Sequence, residues 1–214
     1  MKASNINVSR MGLELLSTNK RVIALRCIYT RIKVVPRQSR PYIGCDFFIR
    51  GDRMRKFEKI SFNQFKEDIC DNKTLYDEYN LPKRGTKYAA GYDFYALYDY
   101  TLKPGETMKV PTGIKVCMED DDVLLLIDRS SMGFKYNVRM CNQVGVIDAD
   151  YYNNSNNEGH MWIRIQNHGD KDYIVKKGDA MIQGMFVKYL KTDDDIESEN
   201  ERNGGLGSTN KKEG

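Results

Sequence analysis

Asp148 and Asp150 close a short apolar run, Val144, Val146 and Ile147, and Tyr151 follows directly. The apolar residues read as one short buried strand. Gly145 lies inside it, where glycine lets another backbone or a ligand approach closely. A carboxylate at the mouth of such a strand is placed for acid–base work, and the aromatic three residues on can floor a pocket. Read alone, the stretch is also a strand closing in an Asp-rich turn, a common pattern.

Four further stretches carry chemistry. Asp93 sits between aromatics in Ala90-Gly-Tyr-Asp-Phe-Tyr-Ala96. An aspartate in a strand is unfavourable unless paired or hydrogen-bonded, so it either holds a turn or anchors a hydrated metal through water. Asp128-Arg-Ser-Ser-Met-Gly133 offers Arg129 with the hydroxyls of Ser130 and Ser131. Guanidinium and backbone N–H groups both donate to oxyanions, although a polar loop with a surface arginine has the same look. Gln183 stands in the apolar Gly178-Asp-Ala-Met-Ile-Gln183 as a satisfied core amide or a ligand contact. Last, Arg202-Asn-Gly-Gly-Leu-Gly-Ser-Thr209 has glycines able to wrap phosphates through backbone N–H groups. It lacks the Gly-Lys-Ser/Thr of a Walker loop, and a Gly-rich tail is also simply a flexible end.

The elements that must position these residues are mostly strands. Ser61 and Gln64 have capping-box spacing, and Phe62, Phe65 and Ile69 repeat at helical spacing, which predicts a helix over 62–70. Strands are expected at 92–96, 98–102, 107–110, 114–117, 123–127, 161–166, 173–175 and 180–190. Turns are expected at Pro104-Gly105 and Lys177-Gly178-Asp179. Many short strands with regular turns predict a sandwich, jelly roll or barrel. Thr192 to Glu201 is acidic and polar and reads as a mobile linker.

Charge is divided unevenly. Residues 1–53 hold eleven Lys/Arg against three Asp/Glu, whereas 54–214 hold 23 against 27. The basic balance therefore belongs to the leader, and nucleic-acid binding is an unlikely trade for the rest. Five cysteines with no Cys-x-x-Cys spacing fit reduced thiols in a cytoplasmic protein better than a disulfide frame or a zinc site. No apolar run approaches the roughly 18–20 residues that span a bilayer, and no membrane partner is expected. Three segments follow: a basic leader (1–53), a β domain with a helical preamble (54–191), and an acidic linker with a Gly-rich arm (192–214). The leader reads either as a DNA-binding or targeting extension or as non-native sequence, with translation then expected to start at Met54.

In this order and spacing the five stretches resemble the trimeric dUTP diphosphatase (dUTPase) family. The motifs are Ala90–Ala96, Arg129–Gly133, Gly145–Tyr151, Gly178–Gln183 and Arg202–Thr209, within a likeness covering about residues 55–210. The preamble and the stretch after Tyr151 look like a branch found in low-GC Gram-positive bacteria and their phages. The resemblance implies an all-β jelly roll with a short N-terminal helix, assembled as a homotrimer with shared active sites. It implies hydrolysis of dUTP to dUMP and pyrophosphate, which limits uracil in DNA and supplies dUMP for thymidylate synthesis.

By the same resemblance Asp148 is the catalytic base that orients water. The backbone around Gly145, Val146 and Ile147, with Asn142, reads the uracil edge, and Tyr151 packs under the deoxyribose. Arg129, Ser130, Ser131 and Gln183 neutralise phosphate charge. Mg2+ rides on the triphosphate with Asp93 holding one of its waters. Arg202, Gly205, Leu206, Gly207 and Ser208 close over the substrate. Three departures stand out. Leu206 replaces a stacking phenylalanine. Ser131 replaces a glycine. Asn153–Glu158 lengthens the hairpin after Tyr151. His160 and His168 get no catalytic role and read as surface residues. A deoxycytidine triphosphate deaminase is the nearest rival enzyme, disfavoured by Asp148 with Tyr151 where it would need a glutamate. A regulatory protein that binds a phage repressor through the 153–158 extension is the rival of another class.

Overall fold

The structure, a computed structural model, describes residues 54–196 and Gly205. The leader and the positions Arg202, Leu206, Gly207 and Ser208 lie outside the described residues.

The preamble opens with strand β1 (Lys56–Lys59) and two short helices, α1 (Phe62–Asp68) and α2 (Lys73–Glu78). Ser61 caps α1, its hydroxyl accepting from Gln64 N at 3.1 Å. The reciprocal half of the expected box is not made by Gln64. Glu158, far along the chain, takes both Ser61 donors instead: the N–H at 2.9 Å and the hydroxyl at 2.5 Å. Helix α2 starts at Asn72, whose side chain accepts from Leu75 N. Phe62, Phe65, Tyr76 and Tyr79 pack ring on ring and seat both helices. Tyr79 also donates from its hydroxyl to Gly113 O at 2.8 Å.

The strands follow in chain order: β2 (Lys83–Arg84), β3 (Tyr92–Tyr95), β4 (Tyr100–Leu102), β5 (Thr107–Pro111), β6 (Ile114–Cys117) and β7 (Asp122–Ile127). Helix α3 (Ser130–Tyr136) and β8 (Val138–Met140) come next, then β9 (Gly145–Asp148) and a 3-10 turn at Ala149–Tyr151. Strands β10 (Trp162–Asn167), β11 (Tyr173–Val175) and β12 (Ala180–Lys188) close the set. Both expected turns form, with Gly105 and Gly178 at φ 81° and 87°, a conformation that glycine adopts without strain.

All pairings described are antiparallel. The largest sheet runs β2-β3-β12-β7-β9, a second runs β5-β10-β8, and two ribbons pair β1 with β6 and β11 with β4. This is the expected jelly-roll-like β fold. Alternation along each strand sends one set of side chains inward. Phe94, Leu124, Leu126, Met181 and Ile182 from the large sheet join Val138, Met140, Ile163 and Ile165 from the second in one apolar core. Among the described residues no helix is long and apolar enough to cross a membrane.

Two expectations are corrected. The Val144–Ile147 run is not buried: β9 is an edge strand, and Val146 is 60% exposed and Val144 40%. Arg129–Gly133 is not a loop but the start of α3, with Arg129 at its N-cap and only Met132 buried.

Candidate active site

Three of the residues singled out in the sequence meet in the large sheet. In the β3–β12 register Asp93 lies opposite Gln183, and Gln183 lies opposite Ile127 of β7. The chain leaves β7 through Asp128 and returns Arg129 over the same row. Arg129 Nε donates to Asp93 Oδ1 at 3.1 Å, and Gln183 Nε2 donates to the same oxygen at 3.2 Å. Arg129 also donates from Nη1 to Ala180 O at 2.9 Å, which ties it to the start of β12. The buried-aspartate problem is thereby solved with a charge-assisted pair. Gly91 makes room, since a Cβ there would lie 3.0 Å from Gln183 Oε1.

Asp128 was not singled out for a role of its own. Its carboxylate accepts from Met140 N at 3.0 Å and so joins β7 to β8 behind Arg129. Burial pushes its pKa above the ordinary carboxylate value, against the pull of that hydrogen bond and of Arg139.

Strand β9 supplies the second half. It pairs with β7 on one side only, Gly145 against Leu126 and Asp148 against Val123. An edge strand leaves alternate backbone N–H and C=O groups facing outward. Along Val146 and Ile147 this is a row of donors and acceptors suited to the rim of a planar base. Gly145 is buried because Leu126 closes on it; a Cβ would sit 3.2 Å from Leu126 Cβ. Asn142 is exposed and donates to Val144 O at 3.1 Å, folding the turn that delivers β9.

Tyr151 ends the 3-10 turn, half-buried. Its hydroxyl donates to His160 O at 3.1 Å and accepts from Asn157 Nδ2 at 2.9 Å. Gly205 lies against the ring: a Cβ there would come within 2.9 Å of Tyr151 Cε2 and Oη. The 153–158 stretch is not a lengthened hairpin. It folds back as a compact loop in which Asn154 is buried and accepts from the N–H groups of Asn156 and Asn157.

His160 is corrected too. It is fully buried rather than on the surface. Gly113 N donates to Nε2 at 2.9 Å, which leaves the proton on Nδ1 facing Asp68 Oδ2 at 2.5 Å. Burial lowers its pKa below the ordinary value, and Asp68 opposes that. A run of four asparagines in six residues was the one sequence signal for this loop, because Asn side chains bond nearby backbone.

Within a single chain the two halves stand apart. Asp148 pairs with Val123, four residues down β7 from the Ile127 that faces Gln183. At a rise of about 3.3 Å per residue that is roughly 13 Å along the strand, with two strand spacings across as well.

An arginine and an amide gathered on one carboxylate, with a second carboxylate at the end of an open strand edge, are suited to water-driven hydrolysis of a nucleoside phosphate. That is the class that the fold and its parts define. The comparisons give the family. The dUTPase family profile matches residues 77–210. A deoxyuridine 5'-triphosphate nucleotidohydrolase of Lactococcus lactis is 44% identical over 131 residues, 61% of this chain and 87% of the relative. The Actinobacillus succinogenes protein of the same name is 34% identical over 142 residues, 63% of this chain and 90% of its own. The crystal structure of dUTPase from Streptococcus mutans superposes with a TM-score of 0.53 at 38% identity, covering 64% of this chain and 98% of the other. The chain belongs to the dUTPase family.

Proposed function

We infer that the chain hydrolyses dUTP to dUMP and pyrophosphate, with Asp148 as general base. Asp148 takes a proton from water as the water oxygen attacks the α-phosphorus. The α–β bridging bond breaks and pyrophosphate leaves. Arg129, Ser130, the Ser131 backbone and Gln183 neutralise the charge that develops on the phosphate oxygens. The work is mostly positioning and electrostatic stabilisation. Among the described residues no group of three or more metal-ligating side chains occurs. Mg2+ usually keeps several waters, so one carboxylate such as Asp93 would suffice to hold one of them beside the triphosphate. Both donors to Asp93 fall on Oδ1, so Oδ2 would be the atom to hold a magnesium-bound water. Magnesium would supply charge neutralisation on the triphosphate.

Specificity follows from the edge and the ring. Outward backbone groups at Val146 and Ile147, with Asn142, pair with uracil, and cytosine would set its exocyclic amine against a donor. Tyr151 under the deoxyribose leaves no room for a 2'-hydroxyl. Arg202, Gly205, Leu206, Gly207 and Ser208 close over the bound nucleotide and exclude bulk water. The separation of Asp148 from the Asp93–Gln183 row supports sites shared between copies in a homotrimer.

The observation that carries the reading is the convergence of Arg129 and Gln183 on Asp93 Oδ1. Pyrophosphate release is measured across dUTP, dTTP, dCTP and UTP with magnesium. Turnover of dUTP alone is expected. Intact dUTP, or ammonia from dCTP, would sink the reading. For a repressor partner, the exposed Asn153, Ser155 and Asn156 are the part of the loop on offer. A pull-down with the Asp148→Asn chain tests that role without turnover.

A further inference from the structure

We propose that Asn157 is the positioning residue that sets the Tyr151 ring, and that selection against the ribose 2'-hydroxyl depends on it. The inference rests on the reading of Tyr151 given above and adds what holds that ring in place.

The Asn157 amide has all its main bonding directions in use. Its Oδ1 accepts from Gly159 N at 3.1 Å and from Asn154 Nδ2 at 2.9 Å. Its Nδ2 donates to Tyr151 Oη at 2.9 Å and to His160 O at 3.2 Å. Two of these partners can play only one role, because a backbone N–H donates and a carbonyl accepts. They fix which end of the amide is which. Tyr151 Oη is therefore offered a donor by Asn157 and an acceptor by His160 O, 3.1 Å away. A phenol held at both its donor and its acceptor cannot swing without losing both bonds.

The loop that carries Asn157 is itself held. Asn154 Nδ2 also donates to Tyr151 O at 2.8 Å, so the loop grips both ends of the tyrosine. Gly159 has φ 83°, and a Cβ there would meet Tyr151 O at 2.6 Å. Glu158 is bound by Ser61 of the α1 cap and by Lys115 Nζ at 3.2 Å. His160 is clamped between Asp68 of α1 and Gly113. The preamble thus braces the loop, and the loop braces the ring through its hydroxyl.

Rejecting one extra oxygen by exclusion requires the ring to stay where it is within a fraction of an ångström. The test compares kcat/KM for dUTP with that for UTP in the wild type, Asn157→Ala, Tyr151→Phe and the double variant, with thermal melting as the check on folding. Asn157→Ala is expected to lower the dUTP/UTP ratio about tenfold, well short of the roughly hundredfold that a full 1 Å misplacement can cost. Tyr151→Phe keeps the ring and drops only the tether, so it should lower the ratio similarly. The double variant should fall no further than Tyr151→Phe, because both changes cut the same bond. A merely structural role would lower the melting temperature and leave the ratio alone. A folded Asn157→Ala chain with the wild-type ratio, or additive losses in the double variant, overturns the inference. Should Asn157→Ala not fold, Tyr151→Phe decides, and an unchanged ratio overturns it. A wild type inert towards dUTP overturns both this inference and the reading beneath it. Good dUTP turnover with an unmoved ratio overturns this inference alone.

Discussion

At the scale of single residues, the task proposed for Asp148 is to accept a proton, and an amide cannot do it. Asp148→Asn should lower kcat by about 10²–10⁴, the range of a general base, with KM for dUTP nearly unchanged. Steady-state kinetics at saturating magnesium checks both. Gly205 is a steric matter. An alanine there must displace the Tyr151 ring or hold the arm off it. Overpacking costs about 1–3 kcal/mol, so Gly205→Ala should lower kcat/KM for dUTP by about tenfold while the melting temperature stays put. Asp93 and Gln183 were legible in the sequence because a carboxylate and an amide in apolar strands must find partners, whereas Arg129 read as an oxyanion donor or a surface arginine. Asn157 and His160 were not. The asparagines read only as part of a lengthened hairpin, and nothing local shows that a lone histidine meets a carboxylate 92 positions away.

Among the elements, the strands were read well where alternation and turn glycines agree, as at β10 and at the Gly105 and Gly178 turns. Helix α3 has only Met132 buried and α2 has no buried residue, so neither carries an apolar stripe to betray it. Strand β9 misled for the opposite reason: its Val146 and the preceding Val144 are apolar yet lie exposed at an open edge. Helix α1 was read correctly, but its capping partner was not, because Glu158 comes from another element. Ser61→Ala should cost about 1 kcal/mol of stability, as N-cap losses do, measured by urea unfolding. His160 links the same helix to pH. The folded chain keeps it neutral through burial, with its pKa below the ordinary 6.5 despite Asp68. Below about 6.5 the unfolded chain therefore binds a proton that the folded chain refuses. Stability is fully present above that value and falls as pH drops below it, by up to about 1.4 kcal/mol per pH unit, until the folded pKa is reached. Urea midpoints at about pH 7.5 and about pH 5.5 should differ more in the wild type than in His160→Gln, which has no proton to take up.

The whole molecule poses the remaining question, because one chain holds the proposed phosphate-binding row and the proposed base on the same sheet but far apart. Asp148 faces Val123, while Gln183 faces Ile127 at the other end of β7. No rotamer closes a gap of roughly 13 Å along a strand. A flat sheet cannot fold its own row onto its own edge. A second copy can bring its row to the first copy's edge, and closed symmetry then completes every site at once. The exposed Val144 and Val146 flanking Gly145 on that edge suit such a contact, since burying apolar surface favours association. Mixing two inactive chains tests this directly. Asp148→Asn lacks the base and Arg129→Ala lacks the phosphate donor, so each homo-oligomer should be dead. After joint denaturation and refolding in equal amounts, a site needs the base from one kind of chain and the row from the other. Random assembly meets both conditions in roughly a quarter of sites, given a closed ring of equivalent interfaces. Pyrophosphate release should recover to about that fraction of wild type. A mixture that stays dead, although sedimentation shows mixed oligomers, would place the base and the row in the same chain.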